Sequence, residues 1–269
     1  MHYATFLKLV KLCGLYPLCR ALRIWLDHHT PGGIRRQRER REFYAQFLRP
    51  GDLCFDVGAN VGDRTEVFLE LGCKVVCVEP QQDCVKYLHR RFRNRADITI
   101  LLKAVGAQEG EAELLVCEYN PALTTLSEAW MKQNRYAGEY DWTRKGRIPV
   151  TTLDALIAQV GVPRFCKIDV EGFEEQVLKG LTRPIPFLAF EFRAELRDEV
   201  GNCLDRIQAV APASFNCTIN DATTMLAPTW ISAAELERKI AAIADPGLWG
   251  DIYVKFNQEP CDPCRPESR

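Results

Sequence analysis

The stretch FDVGANVGDRTEVFLELGCKVVCVEP, residues 55–80, decides the fold. An apolar run ends in a glycine-rich turn at residues 58–62, and a helix-like segment leads to a second apolar run that ends at Glu79. This order is typical of a strand, helix, strand unit in a parallel sheet. A ligand crevice is then expected where the strands reach their carboxyl ends.

The same alternation continues along the chain. The β-rich apolar runs are LCFDVGA (53–59), KVVCVEP (74–80), ITILLKAV (98–105), RFCKIDVEG (164–172), FLAFEF (187–192), FNCTIN (215–220) and DIYVKF (251–256). Helix-like segments occupy residues 64–71, 82–93, 153–159, 174–181, 194–209 and 233–244. These patterns predict an α/β fold, a doubly wound parallel sheet with helices on both faces. One of the last two runs is expected to be antiparallel at the sheet edge.

Length and charge limit the organisation and the partners. With 269 residues and 47% apolar content, the chain predicts one large domain at 47–258, a helical basic extension at 1–46 and a flexible tail at 259–269. The net charge of -1 argues against a nucleic-acid partner. Residues 111–150 show no clear helix and strand unit, and a long insertion beside the crevice is typically a lid or binding loop.

The extension and the cysteines suggest the setting. Residues 1–30 contain no apolar run of the ~18 residues that span a bilayer. They fit a membrane surface or, as the favoured interpretation, packing against the domain or a partner chain. Arginines crowd residues 34–49, where we expect a solvated face and keep an anionic partner as the alternative. Most of the twelve cysteines lie in apolar runs, which favours a reducing, cytoplasmic setting. Cys261 and Cys264 lack the other ligands of a zinc site.

The glycine turn carries an acid. Asp56 precedes Gly58 by two residues, and its carboxylate would repel a pyrophosphate placed on the turn. The spacing G-x-x-x-G, with Gly62 as the second glycine, also differs from the dinucleotide pattern. A cationic nucleoside without phosphate, such as S-adenosylmethionine, fits better. Glu79, 21 positions after Gly58, is placed to accept the ribose hydroxyls.

These residues also have purely structural interpretations. Asp56 can cap the turn, Asn60 can adopt the left-handed conformation that asparagine tolerates, and Gly62 can permit close helix packing. Such roles are compatible with ligand binding.

A second acidic cluster lies in RFCKIDVEGFEEQVLKGL, residues 164–181. Alternation along a strand would place Lys167, Asp169 and Glu171 on one side. Charged groups in a buried strand are costly unless they pair or face a cleft. We therefore expect Asp169 and Glu171 to line the crevice. The alternative is a structural ion-pair network around Lys167.

The segments FLRPGDLCFDVGANVG, CVEP, VTTLDAL and KIDVEGFEEQVLKG, in this order, resemble the FkbM-type family of S-adenosylmethionine-dependent methyltransferases over residues 47–256. The resemblance implies a class I methyltransferase (Rossmann-like) fold with a seven-stranded sheet whose last strand is antiparallel. It also implies methylation, usually of a hydroxyl on a sugar, polyketide or similar small molecule.

The resemblance extends to single residues. The family's methionine-side loop matches Asp56, Gly58, Asn60 and Gly62. Its ribose acid matches Glu79, and its adenine wall falls at Ala104 and Val105. The motif that borders the methyl group and the acceptor matches Asp169, Glu171, Gly172 and Glu174. The family's small hydroxyl residues are loosely matched by Thr124, Thr125 and Ser127.

Methylation of an alcohol requires a group that removes the hydroxyl proton. None of the four histidines follows a predicted strand, so Asp169 or Glu171 is the candidate base or acceptor-positioning group. Carboxylates also suit a divalent cation, but no third ligand is identifiable and no metal is predicted. The expected partner is a small-molecule or glycan acceptor. The alternatives are an NAD-dependent oxidoreductase and a non-catalytic scaffold whose basic arm binds a membrane or partner.

Overall fold

The structure is a computed structural model and describes residues 22, 26, 29–117, 120–133, 140, 142–193, 196–245 and 247–257. The Cys261 and Cys264 pair and most of the apolar segment 1–30 lie outside these residues. No helix in this described part of the chain has the length and apolarity to cross a membrane.

The strands are β1 (Leu53–Val57), β2 (Lys74–Val78), β3 (Ile98–Leu101), β4 (Ala104–Val105), β5 (Gly110–Cys117), β6 (Trp142–Thr151), β7 (Phe165–Ile168), β8 (Phe187–Arg193), β9 (Ala213–Ile219) and β10 (Trp249–Phe256). The helices are α1 (Pro31–Tyr44), α2 (Asp63–Glu70), α3 (Gln82–Arg91), α4 (Glu128–Gln133), α5 (Leu153–Val160), α6 (Glu174–Lys179), α7 (Arg197–Val210) and α8 (Ala233–Ala241). Each predicted helix-like segment corresponds to one of these helices, and each predicted run corresponds to one strand except the run 98–105.

Seven strands form the main sheet in the order β3-β2-β1-β7-β8-β10-β9. The pairs β1 with β2, β1 with β7, β2 with β3, and β7 with β8 are parallel. The last strand, β10, is antiparallel to both β8 and β9, which confirms the expected antiparallel strand. The antiparallel pair of β10 and β9 forms one edge of the sheet, with β9 outermost and β10 next to it.

A smaller sheet departs from the sequence prediction. The run 98–105 is not one strand: β3 ends at Leu101, and β4 joins a three-stranded sheet of order β4-β6-β5. The two ends of the predicted insertion therefore form an antiparallel pair, β5 with β6. A 3-10 turn at Pro121–Leu123 and helix α4 lie between these two strands. The partly exposed β5 lacks the continuous apolar run that marks the buried strands, so its pairing was not evident.

The two faces of the main sheet are covered separately. One face carries Val57 and Ile168 in the larger core cluster, with residues of α5, α7 and α8. The other carries Phe165 and Tyr253, which pack with Phe47 and the end of α1. Helix α1 begins at the N-cap Thr30, whose hydroxyl accepts the Gly33 N–H at 3.1 Å. Its last turn, at 43–44, belongs to the core although it precedes the predicted domain start at 47.

The basic face of α1 forms ion pairs in the structure. Arg35 pairs with Glu39 and Arg38 with Glu42 along the exposed helix surface. Arg41 reaches Glu70 on α2. Exposed pairs of this kind contribute little to stability. The arrangement agrees with the solvated face expected from the sequence.

Candidate active site

The turn after β1 requires glycine at its first position. Gly58 has φ 80°, and a Cβ built there would lie 1.8 Å from the carbonyl oxygen of Asp169. Asn60 has φ 48°, which confirms the left-handed conformation considered above. Gly62, at φ 81°, has no room for a Cβ because Leu88 and Phe92 approach it from the α3 side. The turn therefore lies directly against neighbouring elements.

Glu79 is held rigidly at the end of β2. Its two carboxylate oxygens accept the backbone N–H groups of Asn60 at 2.8 Å and Gln81 at 2.9 Å. Burial raises the pKa of Glu79 to about 7, although these two donors act in the opposite direction. The carboxylate is thus fixed by the glycine turn before any ligand arrives, and it lines the cavity described next.

A cavity lies at the carboxyl ends of the central strands. Its empty space is about 800 Å³ when the part open to solvent is included. The predicted site residues that line it are Gly58, Asn60, Glu79, Ala104, Val105, Asp169 and Glu171. The structure thus brings together residues that are more than 100 positions apart in the chain.

Asp56 and Gly62 do not line this cavity. The Asp56 carboxylate is buried behind the turn and accepts the Thr65 hydroxyl at 2.5 Å. Burial raises the pKa of Asp56 to about 6, against the Thr65 hydrogen bond and the charge of Lys167. In this position Asp56 connects the end of β1 to α2 and supports the turn. Direct contact of Asp56 or Gly62 with a cofactor stays a prediction.

The acids in the cavity wall are Glu79, Asp169, Glu171 and Glu191. Lys103 is the one basic side chain among the described residues that line it. A diphosphate would find few positive partners here, whereas a bound cation would favour the ionised form of these acids. The electrostatic preference expected from Asp56 thus rests in the structure on other carboxylates.

Glu171 reaches the site through a turn and not along a strand. Strand β7 ends at Ile168, so the predicted strand alternation does not extend to Glu171. Glu171 has φ 54° and Gly172 has φ 77°, two successive left-handed residues. The Thr125 hydroxyl donates to the Glu171 carbonyl at 2.7 Å, and a Cβ on Gly172 would lie 2.3 Å from the Trp130 ring. The inserted segment therefore packs directly on this turn.

Lys167 forms the ion-pair network that was the alternative interpretation. Its buried Nζ lies 3.3 Å from Asp169 Oδ2 and 3.0 Å from Asp251 Oδ1. Asp169 nevertheless also lines the cavity, so the two interpretations hold together. Burial would raise the pKa of Asp169, but the attraction of Lys167, Arg64 and Arg193 outweighs burial and lowers it.

Asp169, Glu171 and Glu191 form the acidic end of the cavity. The sequence analysis did not identify Glu191 or its neighbour Arg193 as site residues. One Arg193 nitrogen, Nη2, donates to Glu171 at 3.0 Å and to Glu191 at 3.3 Å. Burial raises the pKa of Glu171 to about 8, while Arg193 opposes the shift. An acid inside the apolar run FLAFEF was the available signal, the same signal that marked Asp169.

The acidic end also supplies the third carboxylate that the sequence did not. Asp169, Glu171 and Glu191 each place one oxygen within 4.8 Å of the others, a spacing that a divalent cation can use. Arg193 already pairs with two of the three acids. Its guanidinium supplies the positive charge that a metal would supply, and we assign no metal here.

The inserted segment forms another wall of the cavity. Ala122, Thr124, Thr125 and Leu126 all line it. The Thr124 hydroxyl donates to the side-chain oxygen of Gln81 at 3.1 Å, which joins this segment to the end of β2. Leu126, Leu114, Phe173, Ala104 and Val105 provide apolar surface of the kind that an adenine ring needs.

The residues present therefore fit S-adenosylmethionine: a fixed acid for the ribose, an apolar wall, and acidic surroundings for a sulfonium. The sheet order, with its antiparallel penultimate strand, and the crevice at the strand ends define a class I methyltransferase fold. The family described as Methyltransferase FkbM domain matches residues 56–205. The chain belongs to this family of S-adenosylmethionine-dependent methyltransferases.

Solved structures with a similar course of the chain are distant in sequence. A precorrin-6y C5,15-methyltransferase from Geobacter metallireducens GS-15 has 9% identity and a TM-score of 0.42, covering 80% of this chain and 87% of that one. A TehB-like methyltransferase from Corynebacterium glutamicum has 10% identity and a TM-score of 0.40, covering 81% of this chain and 87% of that one. Aeropyrum pernix fibrillarin, solved with natively bound S-adenosyl-L-methionine, has 12% identity and a TM-score of 0.39, covering 77% of this chain and 67% of that one. No curated protein matches the chain.

Proposed function

We propose that this methyltransferase methylates a hydroxyl group of a sugar, a polyketide or another small molecule, to give a methyl ether. The observation that carries the proposal is the pair of acids at one end of the cavity. The pKa of Asp169 is lowered and that of Glu171 is raised to about 8, so the two carboxyl groups suit different tasks.

When bound, S-adenosylmethionine would supply an electrophilic methyl carbon: the acceptor oxygen would form the new C–O bond with a lone pair, and the electron pair of the broken C–S bond would stay on sulfur. Glu171 takes the proton of the attacking hydroxyl on its carboxylate and later passes it to solvent. A base with a pKa near the working pH suits this task and typically contributes about 10²- to 10⁴-fold. Asp169 stays ionised beside Lys167 and orients the acceptor hydroxyl.

The opposite end of the cavity holds the nucleoside. Glu79 accepts the ribose hydroxyls, and Ala104 and Val105 contact the adenine. Gly58 and Asn60 face the methionine part of the cofactor. All five residues line the cavity, which supports these assignments.

The charge of the lining supports an acceptor without phosphate groups. Among the described residues, four acids and one lysine line the cavity, so a phosphorylated acceptor or a nucleic-acid backbone would find little positive charge to bind. Neutral polyols suit the site because carboxylates accept hydrogen bonds from hydroxyl groups. The NAD-dependent alternative has no support from the family or from this charge distribution.

A cytoplasmic location is part of the same proposal. The described cysteines are free and buried, which fits a reducing compartment.

Transfer of a labelled methyl group tests the function. The protein is incubated with methyl-labelled S-adenosylmethionine and a panel of sugars, polyketides and cell extracts, and the labelled product is identified by mass spectrometry. We expect a methyl ether as the product. Asp169→Asn should keep cofactor affinity in calorimetry and lose turnover. A product labelled on nitrogen or carbon would refute O-methylation, and a fully active Asp169→Asn would remove Asp169 from the chemistry.

A further inference from the structure

Glu191 lies at the carboxyl end of β8, beside the proposed transfer site. The parallel register pairs Ile168 with Phe190, so Asp169 and Glu191 follow side by side at the carboxyl ends of β7 and β8. Glu191 is 9% exposed and lines the cavity that Asp169 and Glu171 also line. The sheet thus positions a third acid on the same surface as the two acids of the proposed transfer site.

Too few positive charges surround these acids for all of them to be ionised. Arg193 of β8 serves both Glu171 and Glu191, and Lys167 is shared by Asp169 and Asp251. Glu174 of α6 adds another buried carboxylate, which accepts the Val170 N–H. Asp251 of β10 stands opposite Glu191 in the register and also lies 3.8 Å from Arg64. Carboxylates this close cannot all carry charge.

We propose that Glu191 is a further acid of the transfer site: it shares one proton with Glu171 in the free protein, and the pair releases that proton when the positively charged cofactor binds. The ionised pair is then ready to accept the proton of the acceptor hydroxyl. The inference rests on the proposed function, because it takes the sulfonium to bind in this cavity. Burial and the neighbouring Glu171 and Asp169 raise the pKa of Glu191 well above its ordinary value, which supports a retained proton.

A difference between two ligands isolates the effect. S-adenosylhomocysteine has the same adenosine and amino-acid groups but a neutral sulfur. Only S-adenosylmethionine adds a positive charge near the pair, so only that charge favours ionisation of the acids. The ratio of the two affinities, S-adenosylmethionine over S-adenosylhomocysteine, should rise with pH, by at most about tenfold per pH unit for one released proton.

Calorimetry in buffers of different ionisation enthalpy measures the released protons directly and needs no acceptor. For the wild type near pH 7.5 we expect S-adenosylmethionine to release up to one proton more than S-adenosylhomocysteine. Glu191→Gln should abolish this difference while its affinity for S-adenosylhomocysteine confirms that it is folded. Glu171→Gln should reduce the difference as well, because Glu191 then has Arg193 to itself and loses the neighbouring carboxyl group that favours its protonated form.

Glu199→Gln is the matched control. Burial and the nearby Glu174 and Glu175 raise the pKa of Glu199 to about 7, yet Glu199 does not line the cavity. The control should therefore keep the wild-type difference. Equal proton release with both ligands in the wild type, or an unchanged difference in Glu191→Gln, would overturn the inference alone. Failure of both ligands to bind would overturn the proposed function together with the inference.

Discussion

At the residue scale, Glu79 is the sharpest test of the cofactor site. Glu79→Gln keeps the shape of the side chain but presents an NH₂ group to one of the two backbone N–H donors, from Asn60 or Gln81. A hydrogen bond from a ribose hydroxyl to a charged carboxylate is worth about 1.5–3 kcal/mol. Loss of one such bond should lower S-adenosylmethionine affinity by about 10- to 150-fold. Isothermal calorimetry measures the change.

The exposed Glu237 provides the control, since Glu237→Gln lies on the surface of α8 and should bind the cofactor normally. An unchanged affinity in Glu79→Gln would remove Glu79 from the ribose site.

Single residues were predictable from sequence where their chemistry is local. The glycine turn and the acid after β2 follow from residue type and spacing, and Glu79 does line the cavity. The side of the turn on which Asp56 lies was not predictable, because it depends on Thr65 from the next helix. Arg193 was equally inaccessible, since its role arises only when β8 and the turn at Glu171 meet.

At the element scale, the inserted segment supports the turn that carries Glu171. Trp130 of α4 is buried against Gly172, and the Arg193 guanidinium lies 5.8 Å from the centre of the Trp130 ring. Gly172→Ala would force its Cβ into that ring and would also strain φ 77°. Overpacking typically costs about 1–3 kcal/mol, and the left-handed backbone adds about 1–2 kcal/mol. Urea unfolding should show the combined loss of stability, and turnover should fall as Glu171 shifts.

Gly146→Ala separates the two contributions. Gly146 has φ 60°, but no heavy atom lies within 4 Å of its Cβ position. This variant should lose only the backbone part and keep its activity. Equal destabilisation of the two variants would show that contact with Trp130 does not matter.

Some elements have a clear local pattern in the sequence and others do not. Buried parallel strands such as β1 and β2 are continuous apolar runs, and they were predicted with nearly correct bounds. Strand β4 has only two residues, and it leaves the main sheet because it pairs with β6, far along the chain. A change of sheet within one apolar run is decided by such long-range pairing and leaves no local signal.

At the scale of the whole molecule, buried acids should make stability depend on pH. Burial raises the pKa of Asp56 to about 6, of Glu79 to about 7 and of Glu171 to about 8. Each group then binds a proton in the folded state at pH values where the unfolded chain has released it. The folded form is therefore favoured below the unfolded pKa values, and this advantage is lost as pH rises through the folded values. Acids with lowered pKa values, such as Asp97 and Asp169, act only at lower pH.

We expect the free energy of unfolding, measured by urea titration without ligand, to fall between pH 5.5 and 8.5. Each group lowers the free energy of unfolding by about 1.4 kcal/mol per pH unit between its unfolded pKa and its folded pKa. Glu171→Gln should flatten the upper part of this curve, because it removes the group with the pKa of about 8. Glu237→Gln, at an exposed position, should leave the curve unchanged. Stability that stays constant with pH across this range would mean that these acids are already ionised in the folded protein, and the acidic end of the cavity would then need a counter-ion beyond Lys167 and Arg193.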